Sequence, residues 1–512
     1  MSRRNNLIML LYSGMIFLIM FVFFTNIHPL VLFDGDDWVY ISYARRAVPL
    51  WGNWNPTRVF PEFFMPLCGS FAAYFIYPLT GNYITSITLV NGAAVSFFIA
   101  AYLFFVGKLL CQKLRLSLGK ALILSTFFLL LHFLVFRSAE SGNKHMFYSY
   151  DVTYYYFYTI SNLLNSCLVL YLMVDDILDD AWNKLQSNVY NQHIVKHGFL
   201  LLLIYLALCS NLYASVIMAA FLGVQLVIEL GNLLAGKIPL KASVQKNCLR
   251  LFYMLCWMAV QIYEVNGGRA YELNKTDSLF SLLKGTLRTF LNLRYSVNKF
   301  FMLLTAVIVL SAAVHWVYAR RNPSRADTLG AKQTASAVLT AAGAGILIFF
   351  YLILVCSQHG EARIMQPDIL FGLAFYGFVI VLYCVDWLVK SIPKTAIVLP
   401  LLICIVFSEI DTSGRTFHEA VITDTDHITC IAIAEDIVDQ FIQADAEGSS
   451  EMQLFLPVFP YDSGWPFWGG EGAGNVVAKT LYKHGVISKQ IVVTEAVRTR
   501  EKNDEFHLPY PE

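Results

Sequence analysis

The chain has 512 residues, 57% of them hydrophobic and 14% charged, with a formal net charge of +1. Soluble domains average about 45–50% apolar and about 25% charged residues, so an ordinary soluble globular protein is excluded and a polytopic α-helical membrane protein is expected. The charge is unevenly spread: residues 409–512 hold 18 acidic and 7 basic side chains, an acidic, soluble-looking tail on a basic, apolar body, and no nucleic-acid partner is expected.

In chain order, Arg3 and Arg4 precede an apolar run at 7–24. The run is long for the core of a signal peptide and no small-x-small cleavage site follows it. An uncleaved first helix is expected, with its arginines in the cytoplasm. Next comes "VLFDGDDWVYISYARR", residues 31–46, with carboxylates at Asp34, Asp36 and Asp37. A short helix here would use Asp34 as N-cap, set Asp36 and Asp37 against the positive end of its dipole, and place Arg45 and Arg46 near its C-terminus. The same pair, at the outer end of a membrane helix, is also placed to take a proton from a hydroxyl or to hold a divalent cation. The stretch "WGNWNPTRVFPEFFMP" follows. Trp51 and Trp54 offer flat faces to a sugar ring or serve as interfacial anchors; Arg58 offers a fork for phosphate, and Glu62 another carboxylate. The apolar segment 63–79 is assigned to the first outer loop, 25–84, lying on the membrane or re-entering it, because a span there would put the basic loop at 108–120 outside.

A span needs about 20 apolar residues. Further candidates are 85–107, 121–136, 153–174, 198–210, 212–230, 248–264, 298–318, 334–356, 369–389 and 395–409, which with the first make about eleven transmembrane helices. With the N-terminus inside, the basic loops carrying Lys108 and Lys113, Lys241 and Lys246, Arg320 and Lys332, and Lys390 and Lys394 all face the cytoplasm, as the positive-inside rule asks. The tail then lies outside. The outer loop 137–152 carries Arg137, Lys144 and His145, and Tyr154, Tyr155, Tyr156 and Tyr158 open the next span as an aromatic belt or a sugar platform. An amphipathic helix is expected near 278–293. Arg363 lies in the short loop "SQHGEARIMQPD", where it either binds an anionic group or snorkels beside Glu361. The tail reads as helix 427–445, strand 452–458, a glycine- and aromatic-rich loop, helix 474–485 and strand 489–495. The chain thus divides into a membrane body, 1–408, and an extracytoplasmic α/β domain, 409–512. The ten cysteines are scattered and form no Cys/His cluster of the kind that holds zinc.

The set Asp36, Asp37, Trp38, Tyr40, Trp51, Trp54 and Arg58, placed after a first membrane helix and followed by many helices and an outward tail, resembles the GT-C superfamily of integral-membrane glycosyltransferases. It is most similar to bacterial transferases that decorate surface polysaccharides, such as the serotype-converting glucosyltransferases of O-antigen. The motif spans about 30 residues; the rest of the likeness is layout. The resemblance implies a polyprenyl-phosphate-linked sugar as donor, a cell-surface glycan as acceptor, and single-sugar (hexosyl) transfer with inversion at the outer face of a bacterial plasma membrane. It also implies that Asp36 or Asp37 acts as base or metal ligand; a divalent cation is the one cofactor that enters. Arg58, Arg137, Lys144 and Arg363 are the candidates for the donor phosphate, and Trp51, Trp54 and Glu62 for the sugar. A surface-polysaccharide polymerase or a lipid-linked-oligosaccharide transporter is the rival. A transporter would bury charges in mid-span, and a polymerase would lean on outer arginines rather than on the acidic pair.

Overall fold

The structure, a computed structural model, describes residues 3–510 except 33, 49–53, 139–141, 188–193, 268–278, 322–327, 393–396, 421–424 and 459–470. Each apolar run becomes a helix. In chain order these are α1 (Arg3–Ile27), α3 (Pro61–Thr80), α4 (Tyr83–Lys113), α5 (Leu118–Leu134), α6 (Val152–Val174), α7 (Ile194–Leu208), α8 (Leu212–Leu234), α9 (Cys248–Gly267), α11 (Lys299–Arg321), α12 (Thr328–His359), α13 (Pro367–Ser391) and α14 (Val398–Ser408). The short α2 (Gly35–Tyr40) and the amphipathic α10 (Leu279–Asn292) lie between them. Among the described residues, eight helices are long and apolar enough to cross a membrane, a composition compatible with a helical membrane protein. Seven of them coincide with expected spans, three further expected spans (α5, α7, α14) are shorter apolar helices, and α9 is not among the eight. The eighth is α3.

α3 has the length to span, yet its two ends sit at the same end of the bundle. The Phe60 N–H just before it donates to the Cys209 carbonyl in the α7–α8 link at 3.2 Å. Near its other end the Tyr74 hydroxyl donates to the Lys483 carbonyl at 2.7 Å, and Asn82 just beyond it donates to Glu435 at 2.6 Å. Lys483 and Glu435 belong to the tail. This places α3 alongside the bundle end, under the tail, with Leu67, Phe71, Phe75 and Leu79 exposed. Gly69 allows α2 to lie directly on it, because a Cβ there would fall on the Ile41 carbonyl oxygen.

The bundle centres on α4, α6, α8, α12 and α13, which share one apolar core. α6 and α13 are the most enclosed and α11 the most open. Among the described residues, four of the apolar helices contain a π-helical stretch: Phe23–Ile27, Ala72–Ile76, Leu109–Lys113 and Tyr155–Ile160. A hairpin of β1 (Phe136–Ser138) and β2 (Gly142–Lys144) joins α5 to α6. The tail contains α15 (His427–Ala446), β3 (Glu451–Pro457), α16 (Glu471–Lys483), β4 (Val492–Thr499) and α17 (Arg500–Glu505). β3 and β4 pair in parallel, from Glu451 opposite Val492 to Pro457 opposite Thr499, with α16 in the crossover. α17 is an element the sequence reading did not include.

Candidate functional site

Two helix starts meet at the tail end of the bundle. α2 begins at Asp34, whose Oδ1 accepts the Asp37 N–H at 3.1 Å. This capped turn aims Asp37 inward, where it is fully buried. Its Oδ1 accepts both the backbone N–H and the hydroxyl of Thr153, each at 2.7 Å. α6 has its own cap, Asp151, which accepts the Tyr154 N–H at 2.7 Å. The first turn of α6 therefore holds two carboxylates, one from its own chain segment and one from α2, where the helix dipole favours negative charge. Asp36, beside it on α2, is exposed. Burial, then the charges of Asp37, Asp34 and Asp36, push the Asp151 carboxyl well above the ordinary carboxylate range. Asp34 is also raised, chiefly by burial.

The tail closes over α2. The Trp38 carbonyl accepts the Thr480 hydroxyl at 2.7 Å. The Trp38 ring stacks on Tyr83 at 6.3 Å, and the Tyr83 hydroxyl pairs with His484 Nδ1 at 2.7 Å. α16 thus holds the acidic helix against the bundle.

A ladder of tyrosines leads away from the carboxylates. Tyr148, Tyr150, Tyr154, Tyr158 and Tyr213 follow one another with ring centroids 5.9, 6.0, 5.0 and 6.1 Å apart. Three cations border it. The Lys144 ammonium lies 4.3 Å from the Tyr148 ring centre and 5.3 Å from that of Tyr150; burial lowers its pKa, and Asp368 opposes the shift. Arg363 sits in the turn Glu361–Met365 between α12 and α13, donates from Nε to the His359 carbonyl at 3.2 Å, and faces Tyr158, Tyr213 and Tyr154. Among the described residues it makes no ion pair, with Glu361 or any other carboxylate. Arg58 donates to the Tyr40 hydroxyl at 3.2 Å, lies 3.7 Å from Glu62 and 5.4 Å from the Phe157 ring centre. Arg58 and Arg363 line one narrow pocket with Thr57, Tyr158, Tyr213 and Glu264. Its volume, about 70 Å³, is far below the roughly 300–1,000 Å³ of drug-sized ligand sites, so it suits a small anionic group rather than a whole sugar.

The sequence candidates are therefore sorted. Asp36, Asp37, Arg58, Arg363 and Lys144 come together around the start of α6. Glu62 does not face an open site: it is fully buried and paired with Arg45 and Arg58, and its carbonyl accepts the Arg45 N–H at 3.1 Å. Its geometry is that of a residue holding Arg58. Arg137 is exposed and turned to the start of the tail, 3.7 Å from Asp411. Trp54 packs in a separate apolar cluster with Val59, Cys209 and Val260, 6.3 Å from the Tyr263 ring. Trp51 lies outside the described residues. The sequence reading missed Asp151, Tyr150 and Tyr213. Asp151 carried a signal, since an aspartate directly before a long apolar run is a cap pattern. Among the described residues no three His, Cys, Asp or Glu side chains converge as a metal site, so a divalent cation would have to share the paired aspartates with the hydrogen bonds already made. A larger cavity lies at the opposite end of the bundle, away from all these groups.

No protein-family model, curated protein or solved structure matches this chain. The class is carried by the fold and the site alone: a helical bundle compatible with a membrane, bearing an acidic and a cationic group cluster at one end.

Proposed function

We propose that the chain is an integral-membrane glycosyltransferase that moves one sugar from a polyprenyl-phosphate carrier to a cell-surface glycan, on the outer face of a bacterial plasma membrane. The observation that carries the reading is the start of α6. Asp37 and Asp151 bind its first turn, and Tyr158, seven residues on, borders the Arg58–Arg363 pocket. One helix thus carries the acidic groups at its start and, about two turns on, a residue of the cationic pocket. In this proposal α1 leaves the cytoplasm, the tail is outside, and about eleven helices cross while α3 lies at the outer surface. The basic loops at the end of the bundle remote from the tail support that orientation.

In the reaction, the oxygen of an acceptor hydroxyl forms a bond to the anomeric carbon as the carbon–oxygen bond to the lipid phosphate breaks, with inversion. Asp36, the member of the pair left open to solvent, takes the hydroxyl proton. Asp37 fixes α2 on α6 and so positions Asp36. Arg58 and Arg363 bind the departing phosphate through planar forks, and Glu62 holds Arg58 in place. The tyrosine ladder offers its ring faces to the sugar.

Two observations favour a polymerase instead: Asp37 is committed to Thr153, and two arginines, Arg58 and Arg363, line the pocket. Mass analysis of the surface glycan separates the readings. Deleting the protein should remove a single sugar from each acceptor unit, and Arg363→Ala should reproduce that loss. Loss of polymer length with each repeat unit intact would show polymerisation and refute single-sugar transfer.

A further inference from the structure

A cavity of about 830 Å³ falls in the size range of ligand sites. It opens where α8, α11 and α12 diverge, at the end of the bundle remote from the tail. α12 packs closely on α8 and α13, while α11 packs mainly on α13 and leaves a gap beside α12. Arg320 and Lys332 stand at the mouth, Ser336 one turn further in, and Ile228, Leu339 and Trp316 supply apolar wall. The Arg320 guanidinium lies 5.5 Å from the Trp316 ring centre. Among the described residues neither cation makes an ion pair, and Glu229, beside Ile228 on α8, is engaged by Lys246 at 2.5 Å. The seven residues from Lys332 to Leu339 rise about 10 Å along α12, so charge sits at the mouth and apolar surface lies deeper.

The geometry points to a binding site for one anionic glycerophospholipid, its phosphate between Arg320 and Lys332 and its acyl chains running between α11 and α12. Charge complementarity selects an anionic head, because among the described residues no carboxylate pairs with either cation beside the apolar surface. The apolar walls select a lipid over a free phosphate, which would leave them bare. The site is at the other end of the bundle from the proposed transfer chemistry and does not rest on that reading.

The test is native mass spectrometry of the full chain in detergent, titrated with phosphatidylglycerol or phosphatidylcholine. Wild type should retain one phosphatidylglycerol in preference to phosphatidylcholine. The double variant Arg320→Gln with Lys332→Gln should weaken phosphatidylglycerol retention roughly thirtyfold and leave phosphatidylcholine unchanged. Ala335→Trp, which fills the cavity and leaves both cations, should also exclude the lipid, and it decides the matter if the double variant does not fold. Equal retention of the two lipids by wild type, or undiminished phosphatidylglycerol binding in the variants that fold, overturns the proposal. Displacement of the lipid by millimolar inorganic phosphate would show a simple anion site and overturn it as well.

Discussion

Asp36 and Asp37 are adjacent in sequence and opposite in environment. Asp37 is buried on two hydrogen bonds from Thr153, whereas Asp36 is exposed. Asparagine keeps a capping oxygen and removes the charge and the basicity. Asp36→Asn should therefore keep wild-type stability and lose roughly 10²–10⁴-fold in single-turnover transfer from a polyprenyl-phosphate sugar. Asp37→Asn replaces charge-assisted bonds by neutral ones and should cost about 1 kcal/mol of stability, with a smaller loss of turnover. Near wild-type turnover in both would reduce the pair to a helix start. Asp151 makes a different prediction. Its carboxyl is raised in the fold by burial and by Asp37, so the stability it contributes is complete below the ordinary carboxylate pKa and is lost as pH rises through the raised value. Asp151→Asn keeps the cap and removes the titration. The variant should melt above wild type at about pH 8, and the gap should close towards about pH 4; a gap that ignores pH would contradict this. No local pattern could have shown the cluster, because Asp37 and Thr153, the residue it binds, are 116 positions apart. The caps at Asp34 and before α6 are local and could be read; their meeting is tertiary.

At the scale of elements, apolar runs were legible and their placement was not. Length and hydropathy give α3 the credentials of a span. The hydrogen bonds of Phe60, Tyr74 and Asn82 tie both of its ends to one end of the bundle. Only the basic loop after α4 hinted at this in the sequence. Single cysteines in place of Asn55 and Thr80, which flank or end α3, should react from the same side of a sealed vesicle, the side that also exposes the tail. Reaction from opposite sides would make α3 a true span. The π stretches, by contrast, left no mark in the residue pattern, since a π turn and an α turn use the same apolar residues.

For the whole molecule, the charge asymmetry between body and tail is matched by geometry. The acidic tail caps the end that carries the start of α6, and the basic loops gather at the other. With the orientation proposed, an impermeant thiol reagent applied to whole cells should label Ser450→Cys and spare Gln333→Cys. The reverse pattern would remove the acidic cluster from the outer face and end the surface-glycan reading. The tail is more than an appendage in this arrangement: α16 grips α2 through Thr480 and, by way of Tyr83, His484. Its docking sets the pose of the acidic helix that the sequence reading had placed in a separate domain.

The π-helical turn at Tyr155–Ile160 sits directly behind the two caps and within the tyrosine ladder. A π turn is an α-helix carrying one additional residue. Deleting any single residue from it would let the helix relax to α and rotate one side against the other by about 100°. Thr153 and Tyr154 would swing away from Tyr158 and Tyr213, and the carboxylates would no longer share a wall with the arginines. Chain length in this segment is thus under tighter constraint than residue identity. Over evolutionary time it should accumulate exchanges among aromatic and apolar side chains while admitting neither gaps nor insertions.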